Sequence, residues 1–300
     1  MSNSAFISLT KRILLRKFYQ IDCIYAHKRM MSVKDDFIFI LDNIKYIHYG
    51  DILFYLPLII VLSRKFRVKI YTSEKTHIFI KYFLKSSKNI VITQNKFINT
   101  SKAIIIVHPY EFTNYQGLNT IGLGLPSDYI DKKYPEYLIH QLYNYLGIDY
   151  LYDYSEVISC ISFDETPKSN EKKIKPSIFI SPYLNSGKFR DMLDFKKKKI
   201  FNTALNLALE KNLNLLLIGD IKDRLITYSS KNIIDMRNNN IIDSIQIVRN
   251  SNIKIGVGFD NFWMHYCNLI KKPYTVIFRG RFSKMHHLNH INFINNSFLR

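Results

Sequence analysis

The sequence has little of the residue types that mark several specialised folds. Only three of its 300 residues are cysteine, Cys23, Cys160 and Cys267. They are too few and too scattered for a disulfide framework or for a zinc site with paired ligands. Such sparse cysteine usage fits a reducing cytosol.

Long apolar runs are also missing. The longest, Ile52–Leu62, is 11 residues and contains Pro57, whereas a helix needs about 20 to cross a bilayer. The N-terminus is interrupted by Lys11–Arg12 and Arg16–Lys17 and lacks a small-residue cleavage pattern, so it does not read as a signal peptide. We therefore expect a cytoplasmic protein without a transmembrane helix.

Acidic residues are scarce relative to basic ones. Asp and Glu number 24 against 43 Lys and Arg, giving a formal charge of +19. Such an excess points to nucleic acid, an anionic membrane or an acidic substrate, although Lys, Asn, Ile and Tyr are abundant together, as AT-rich coding DNA also produces. Basic stretches such as Lys196–Lys199 lack the interleaved motif of a nucleic-acid module, so a membrane surface suits them better.

Residues 1–33 read as a basic amphipathic extension. Apolar residues recur there at roughly helical spacing with basic residues between them: Phe6, Leu9, Ile13, Phe18, Ile21 and Tyr25. This pattern is typical of a helix lying at a membrane interface. A helix packed on its own domain is the alternative.

The rest of the chain predicts two α/β domains. Its length and its 47% hydrophobic content suit two domains with cores of their own. The polar, proline-bracketed stretch FDETPKSNEKKIKP reads as a linker, separating an N-terminal domain at 34–165 from a C-terminal domain at 174–300.

Strand and helix patterns alternate in both halves. Buried strands are predicted at Phe37–Leu41, Val68–Tyr71, near Ile90 and at Ala103–Val107, then at Ser177–Ile180, Leu213–Ile218, Asn232–Ile234, Ile253–Val257 and Tyr274–Phe278. Helices are predicted at Ile52–Lys65, Thr76–Leu84, Tyr134–Leu146, Phe195–Glu210, after Asp220, at Ile241–Asn250 and at Asn261–Ile270. This alternation predicts doubly wound parallel sheets whose strand ends face a ligand-binding cleft.

Three strand-to-helix segments carry candidate chemistry. Asp51, after Gly50, is either a helix cap or a base for a hydroxyl proton. Lys188, in the loop SPYLNSGKFR, is a solvated lysine or a partner for phosphate charge. In GVGFDNFWMH, the helix start could bind phosphate, Asp260 or Asn261 could cap the helix or bond a ribose, and His265 could face the cleft or the core.

Together these segments resemble the heptosyltransferases, family 9 of the glycosyltransferases, over roughly residues 36–280. The family's first domain carries a Gly-Asp-hydrophobic segment ending in proline, a form that GDILFYLPLIIVL shares. Its lysine-aromatic loop is similar to SPYLNSGKF. Its D-[S/T]-G-x-x-H helix start, followed by Lys-Pro and an apolar strand, is similar to DNFWMHYCNLIKKPYTVIFRG, with Phe262 where the family has glycine.

The resemblance implies a GT-B fold, two Rossmann-like domains facing a cleft. It implies an inverting, metal-independent enzyme that moves heptose or another glycosyl group from a nucleotide-sugar donor to lipopolysaccharide or another cell-surface glycan. Asp51 would be the general base, with Gly50 admitting the acceptor, and Lys188 would neutralise the donor phosphates. The donor nucleotide would be held by Asp260, Asn261 and His265.

That likeness also sets the expected partners. They are a nucleotide-sugar donor and a lipid-linked glycan, with peripheral contact at the cytoplasmic face of the inner membrane, no nucleic acid and no cofactor. The Asp-x-Asp metal clamp of the other main glycosyltransferase architecture is missing from the sequence. His286, His287 and His290 cluster in a polar tail, and we expect no metal there.

Two alternatives stay open. Phe262 in place of glycine motivates a non-catalytic glycan-binding or scaffold protein derived from the same fold. The net charge alone suggests a nucleic-acid-binding protein.

Overall fold

The computed structural model describes residues 36–41, 48–84, 88–94, 103–107, 120–122, 161, 175–181, 194–219, 232–237, 239–250, 252–259, 261–270 and 272–277. The chain divides into two compact units. Unit 1 comprises Met1–Tyr129 and Tyr134–Phe163, and unit 2 comprises Ile130–Lys133 and Asp164–Arg300.

Unit 1 contains a parallel five-stranded sheet. Its elements in chain order are β1 (Asp36–Leu41), α1 (Tyr49–Ser63), β2 (Arg67–Thr72), α2 (Glu74–Phe83), β3 (Ile90–Thr93), β4 (Ala103–Val107) and β5 (Thr120–Gly122). The strand order is β3-β2-β1-β4-β5. The order reverses between β1 and β4, and the carboxyl edge at such a reversal is where open α/β sheets bind ligands.

Strand β1 is buried on both faces, as the central strand of a doubly wound sheet must be. On one face Phe39 packs edge-on against Tyr55 of α1, with ring centroids 6.2 Å apart. On the other, Ile38 and Ile40 belong to a second buried cluster with Tyr71, Ala103, Ile105 and Val107. This two-sided burial explains the unbroken apolar run in the sequence.

Helix α1 is apolar on all sides. All of its described side chains from Ile52 to Leu62 are buried, Pro57 included, the pattern of a core helix rather than a surface one. Pro57 lies inside the helix and cannot donate a backbone hydrogen bond there. At the far end, Asn89 Nδ2 donates to the Ser63 carbonyl at 2.8 Å, which satisfies one of the terminal acceptors.

Unit 2 repeats the same strand order. Its elements are β6 (Ser177–Ser181), α3 (Asp194–Glu210), β7 (Asn214–Leu217), β8 (Ile233–Asp235), α4 (Ile241–Asn250), β9 (Ile253–Phe259), α5 (Phe262–Leu269) and β10 (Tyr274–Ile277). The order β10-β9-β6-β7-β8 is parallel throughout. Counted within the unit it is the order of the first sheet, and the reversal falls between β6 and β9.

Helices cover both faces of the second sheet. Ile178 and Ile180 join α3 in one core cluster. Phe179, which alternates with them along β6, packs edge-on against Trp263 of α5 at 5.5 Å. The period of two along the strand therefore assigns α3 and α5 to opposite faces.

The predicted α/β class and most predicted elements are confirmed, although several element ends are shifted. Helix α1 starts at Tyr49 rather than Ile52, and β9 runs on to Phe259 rather than ending at Val257. The short strand β5 was not predicted. The N-terminal amphipathic helix, the helix at 134–146 and the short helix after Asp220 lie outside the described residues.

Among the described residues, no helix combines the length and the apolar character that crossing a membrane requires.

Candidate functional site

Asp51 lies in the first turn of α1, close in sequence to the carboxyl end of β1. The sequence interpretation placed Gly50 and Asp51 in the turn before the helix, and the structure corrects this, since both are helical. The N-cap is His48, and Asp51 is the third helical residue. His48 is not a favoured N-cap type, so the sequence carried no local signal for the earlier start.

The Asp51 carboxylate is held by the backbone in front of the helix. Its Oδ2 accepts a hydrogen bond from the His48 N–H at 2.8 Å, the interaction that the third residue makes in a capping box. A negative charge in the first turn also interacts favourably with the helix dipole. Asp51 can therefore take part in the helix cap and also act as a proton acceptor. The cap uses Oδ2 and does not require the other carboxylate oxygen.

Burial dominates the electrostatics of Asp51. Desolvation raises the pKa of this carboxyl above its usual range, while the His48 N–H and the nearby His48 charge act in the opposite direction. A desolvated carboxylate with a raised pKa is a stronger proton acceptor than an exposed one. This combination is the electrostatic condition for a general base.

Hydroxyl groups line the same edge of the first sheet. Thr76 Oγ1 donates to the carbonyl of Leu41, the last residue of β1, at 3.2 Å. Thr72 Oγ1 lies 3.1 Å from His77 Nδ1. Burial, reinforced by the charge of Lys81, lowers the pKa of His77, which favours its neutral ring near neutral pH. These residues form hydrogen bonds at the carboxyl ends of β1 and β2 and were not singled out from the sequence.

In unit 2, Asn261 bridges the two strands at the reversal point. Its Nδ2 donates to Ser181 Oγ at 3.2 Å and approaches the Ser181 carbonyl at 3.4 Å. Its Oδ1 accepts from the Trp263 N–H at 3.0 Å, as an N-cap side chain does. Asn261 thus joins the end of β6 to the start of α5.

The two glycines of GVGF belong to strand β9 and not to a phosphate-binding turn. A Cβ on Gly256 would overlap the ring of Phe179 and lie 2.6 Å from Tyr274 Cδ2. A Cβ on Gly258 would overlap the Tyr274 hydroxyl and lie 2.5 Å from the Ser181 carbonyl oxygen. The glycines are therefore required for close packing of aromatic rings and backbone.

An aromatic cluster forms the start of α5. Trp263 is buried and belongs to the core of unit 2. The Phe262 ring is half-buried and stacks nearly parallel on Tyr266, with centroids 5.8 Å apart. His265 lies in the first turn and is also half-buried, with Nδ1 shielded from solvent.

Lys188 and Asp260 lie outside the described residues, as do His286, His287 and His290. Across the ranges given above, no three His, Cys, Asp or Glu side chains come together as metal ligands would. Of the proposed site residues, the structure thus places Gly50 and Asp51 on α1 of unit 1, and Asn261 and His265 at α5 of unit 2.

Sequence reasoning missed Ser181 and Tyr274. Ser181 was treated as the beginning of a loop but is the buried last residue of β6. The Tyr274 hydroxyl donates to the Phe259 carbonyl at 3.1 Å. The only sequence signal was the pair of glycines opposite an aromatic residue, which acquires meaning once the register pairs Tyr274 with Gly256.

Comparison with known proteins identifies the fold. No protein-family model matches the sequence, and no curated protein sequence matches it significantly. Among solved structures, Escherichia coli heptosyltransferase WaaC with ADP matches with a TM-score of 0.55 at 8% identity, over 85% of this chain and 92% of WaaC. A family 9 glycosyltransferase from Veillonella parvula matches with a TM-score of 0.54 at 10% identity, over 82% of each chain.

The dodecameric iron-containing glycosyltransferase TibC of enterotoxigenic E. coli is also similar, with a TM-score of 0.50 at 12% identity. The match covers 81% of this chain but only 60% of TibC. At these identities the likeness establishes fold. The chain has the GT-B fold of heptosyltransferases, and the resemblance inferred from its motifs is confirmed at that level.

Proposed function

We propose that the protein is a glycosyltransferase of the heptosyltransferase type. It transfers a glycosyl group from a nucleotide-sugar donor to lipopolysaccharide or another lipid-linked cell-surface glycan. The observation that carries this proposal is the desolvated carboxylate of Asp51. It lies in the first turn of the helix that follows β1, where the His48 N–H donates to it.

The proposed reaction is a single inverting displacement. Asp51 accepts the proton of the acceptor hydroxyl as the hydroxyl oxygen bonds to the anomeric carbon of the donor. The bond between that carbon and the phosphate oxygen breaks, and the nucleoside diphosphate leaves with the electron pair. Inversion follows from attack opposite the leaving group, and no metal is required where protein cations neutralise the diphosphate.

The donor is proposed to bind unit 2. Asn261 and His265 lie at the start of α5, next to the strand reversal where nucleotides bind in open α/β sheets. The dipole at the start of a helix favours an anionic phosphate. Asp260 is proposed as a further donor contact, and Lys188 as the cation that neutralises charge on the leaving diphosphate.

Gly50 and Asp51 are proposed to receive the acceptor in unit 1. Gly50 precedes the base in the first turn of α1, and its missing side chain would let an acceptor sugar approach the helix backbone. We propose that residues 34–165 form the acceptor-binding domain and residues 174–300 the donor-binding domain.

The basic surface is proposed to attach the enzyme peripherally to the cytoplasmic face of the inner membrane. Lys198 and Lys199 are exposed on α3, within the run of four lysines Lys196–Lys199. An anionic surface would relieve the mutual repulsion of these like charges. Sedimentation with vesicles containing anionic lipid, lost at high salt, is the expected behaviour, and equal sedimentation with neutral vesicles would contradict it.

A donor screen tests the proposal. The purified chain is heated with ADP-heptose and with ADP-, UDP- and GDP-linked hexoses, and any stabilising donor is then incubated with lipopolysaccharide acceptors of different lengths. We expect one donor class to raise the melting temperature and to release its nucleoside diphosphate only when an acceptor is present. Donor binding without transfer to any acceptor would favour the non-catalytic alternative.

A further inference from the structure

We infer that Tyr274 is a positioning residue for the donor site, whose hydroxyl holds the Phe259 carbonyl and the Asn261 side chain in place. This inference rests on the proposed function of unit 2. Tyr274 belongs to β10, and its hydroxyl donates to the carbonyl of Phe259 at 3.1 Å. It therefore acts on the end of the neighbouring strand rather than on its own.

The Phe259 carbonyl collects two donors. Besides the Tyr274 hydroxyl, it accepts from the Asn261 N–H at 2.9 Å. Tyr274 Oη also lies 3.5 Å from Asn261 Oδ1. One hydroxyl thus contacts both the residue before Asp260 and the residue after it.

The glycines of β9 leave the space that the Tyr274 side chain occupies. Tyr274 pairs with Gly256 in the sheet register, and the space that a Cβ would need at Gly256 or Gly258 is filled by the Tyr274 side chain and its neighbours. The ring runs along β9 from Gly256 towards Phe259, which brings the hydroxyl to the carboxyl edge. A side chain at Gly258 could not coexist with the hydroxyl in this position.

Asn261 extends the same network to the next strand. Its Nδ2 contacts Ser181 of β6 and its Oδ1 caps α5 at Trp263. The carboxyl ends of β6 and β9, the first residue of β10 and the start of α5 are therefore tied together by side-chain hydrogen bonds. A site fixed in this way before its ligand arrives loses less conformational entropy on binding.

Packing alone does not require the hydroxyl. The ring centroids of Tyr274 and Phe179 lie 5.9 Å apart, and a phenylalanine ring at position 274 would fill the same space. The hydroxyl adds the bond to the Phe259 carbonyl and the approach to Asn261. Tyr274→Phe consequently separates positioning from packing.

The test measures binding of ADP and UDP, as donor-fragment probes, to the full chain by calorimetry. For whichever probe binds the wild type, Tyr274→Phe is expected to raise Kd about threefold to tenfold, the range of one lost hydrogen bond. In turnover the KM for the donor should rise more than kcat falls. Ser181→Ala, which removes the hydroxyl that accepts from Asn261 Nδ2 but keeps the backbone carbonyl, should change Kd in the same direction and by less.

Tyr82→Phe on α2 is the matched control, since it removes a tyrosine hydroxyl from unit 1, and its probe affinity should equal that of the wild type. A Tyr274→Phe protein that melts earlier but binds the probe with unchanged Kd would overturn the inference and leave the proposed function standing. A wild-type protein that binds neither probe nor any sugar-linked form of them would overturn both.

Discussion

At the residue scale, the account depends on how Asp51 is held. Burial raises the pKa of its carboxyl, and the His48 N–H partly offsets this by donating to the charged form. The first effect makes the carboxylate a better base, and the second fixes its direction. Residue type and spacing predicted a cap or a base at this position, and the structure shows the capping interaction. The role as a base stays a prediction.

Replacing Asp51 by asparagine should not destabilise the protein at neutral pH. Because the pKa of the folded carboxyl is raised, its stabilising contribution is present at acidic pH and is lost as pH rises through that pKa. Asp51→Asn removes the desolvated charge, and the asparagine side-chain oxygen can still accept from the His48 N–H. We expect its free energy of unfolding in urea to match or exceed that of the wild type at pH 8, and to lose any advantage as the pH is lowered.

The pH dependence of transfer should show the same carboxyl. Transfer requires the ionised base, so kcat/KM should fall on the acid side with an apparent pKa above the usual aspartate range, following the direction of the shift. Initial rates measured across pH at acceptor concentrations well below KM check this. An acid limb at the ordinary aspartate pKa would mean that a more exposed group is titrating.

At the element scale, the sequence predicted the order of helices and strands well because both sheets are buried on two faces and their strands read as continuous apolar runs. The sequence-based prediction failed at residues whose role is set by contacts with another element. His48 begins α1 without a capping residue type, and Gly256 and Gly258 suggested a turn although they lie in β9. The role of these glycines depends on Tyr274 and Phe179, because the sheet register brings both aromatic side chains against them.

Gly258→Ala should destabilise unit 2. The added methyl group would overlap the Tyr274 hydroxyl and crowd the Ser181 carbonyl, and overpacking of this kind costs about 1–3 kcal/mol. Lys254→Ala, on the same strand but exposed, should change stability by less than about 0.5 kcal/mol. Chemical denaturation of the two variants decides this, and equal stabilities would show that β9 relaxes around the methyl group.

At the scale of the whole molecule, the two units share one strand order, and each has a candidate residue beside its reversal point. The length of the chain, its composition and its strand-helix alternation predicted this architecture. The donor sugar could not be predicted, since Phe262 replaces the glycine of the family motif and stacks on Tyr266. A large side chain at a position where the family has glycine changes which ligand fits the site. How that side chain packs is seen only in the structure.

The central claim is that Asp51 is the base of a glycosyl transfer, and a matched pair of variants tests it most directly. Asp243 also occupies the third position of a helix, in unit 2, with its N–H and Oδ2 bonded to Asn240 at 2.9 and 2.7 Å. Asp51→Asn and Asp243→Asn therefore remove the same charge from equivalent helix positions.

The measurement is the acceptor-dependent release of nucleoside diphosphate, with donor affinity determined in parallel. Asp51→Asn should lower kcat by about 10²–10⁴-fold, the usual contribution of a general base, while donor affinity is retained. Asp243→Asn should transfer at the wild-type rate and lose only about 0.5 kcal/mol of stability. Wild-type transfer by Asp51→Asn would contradict the account.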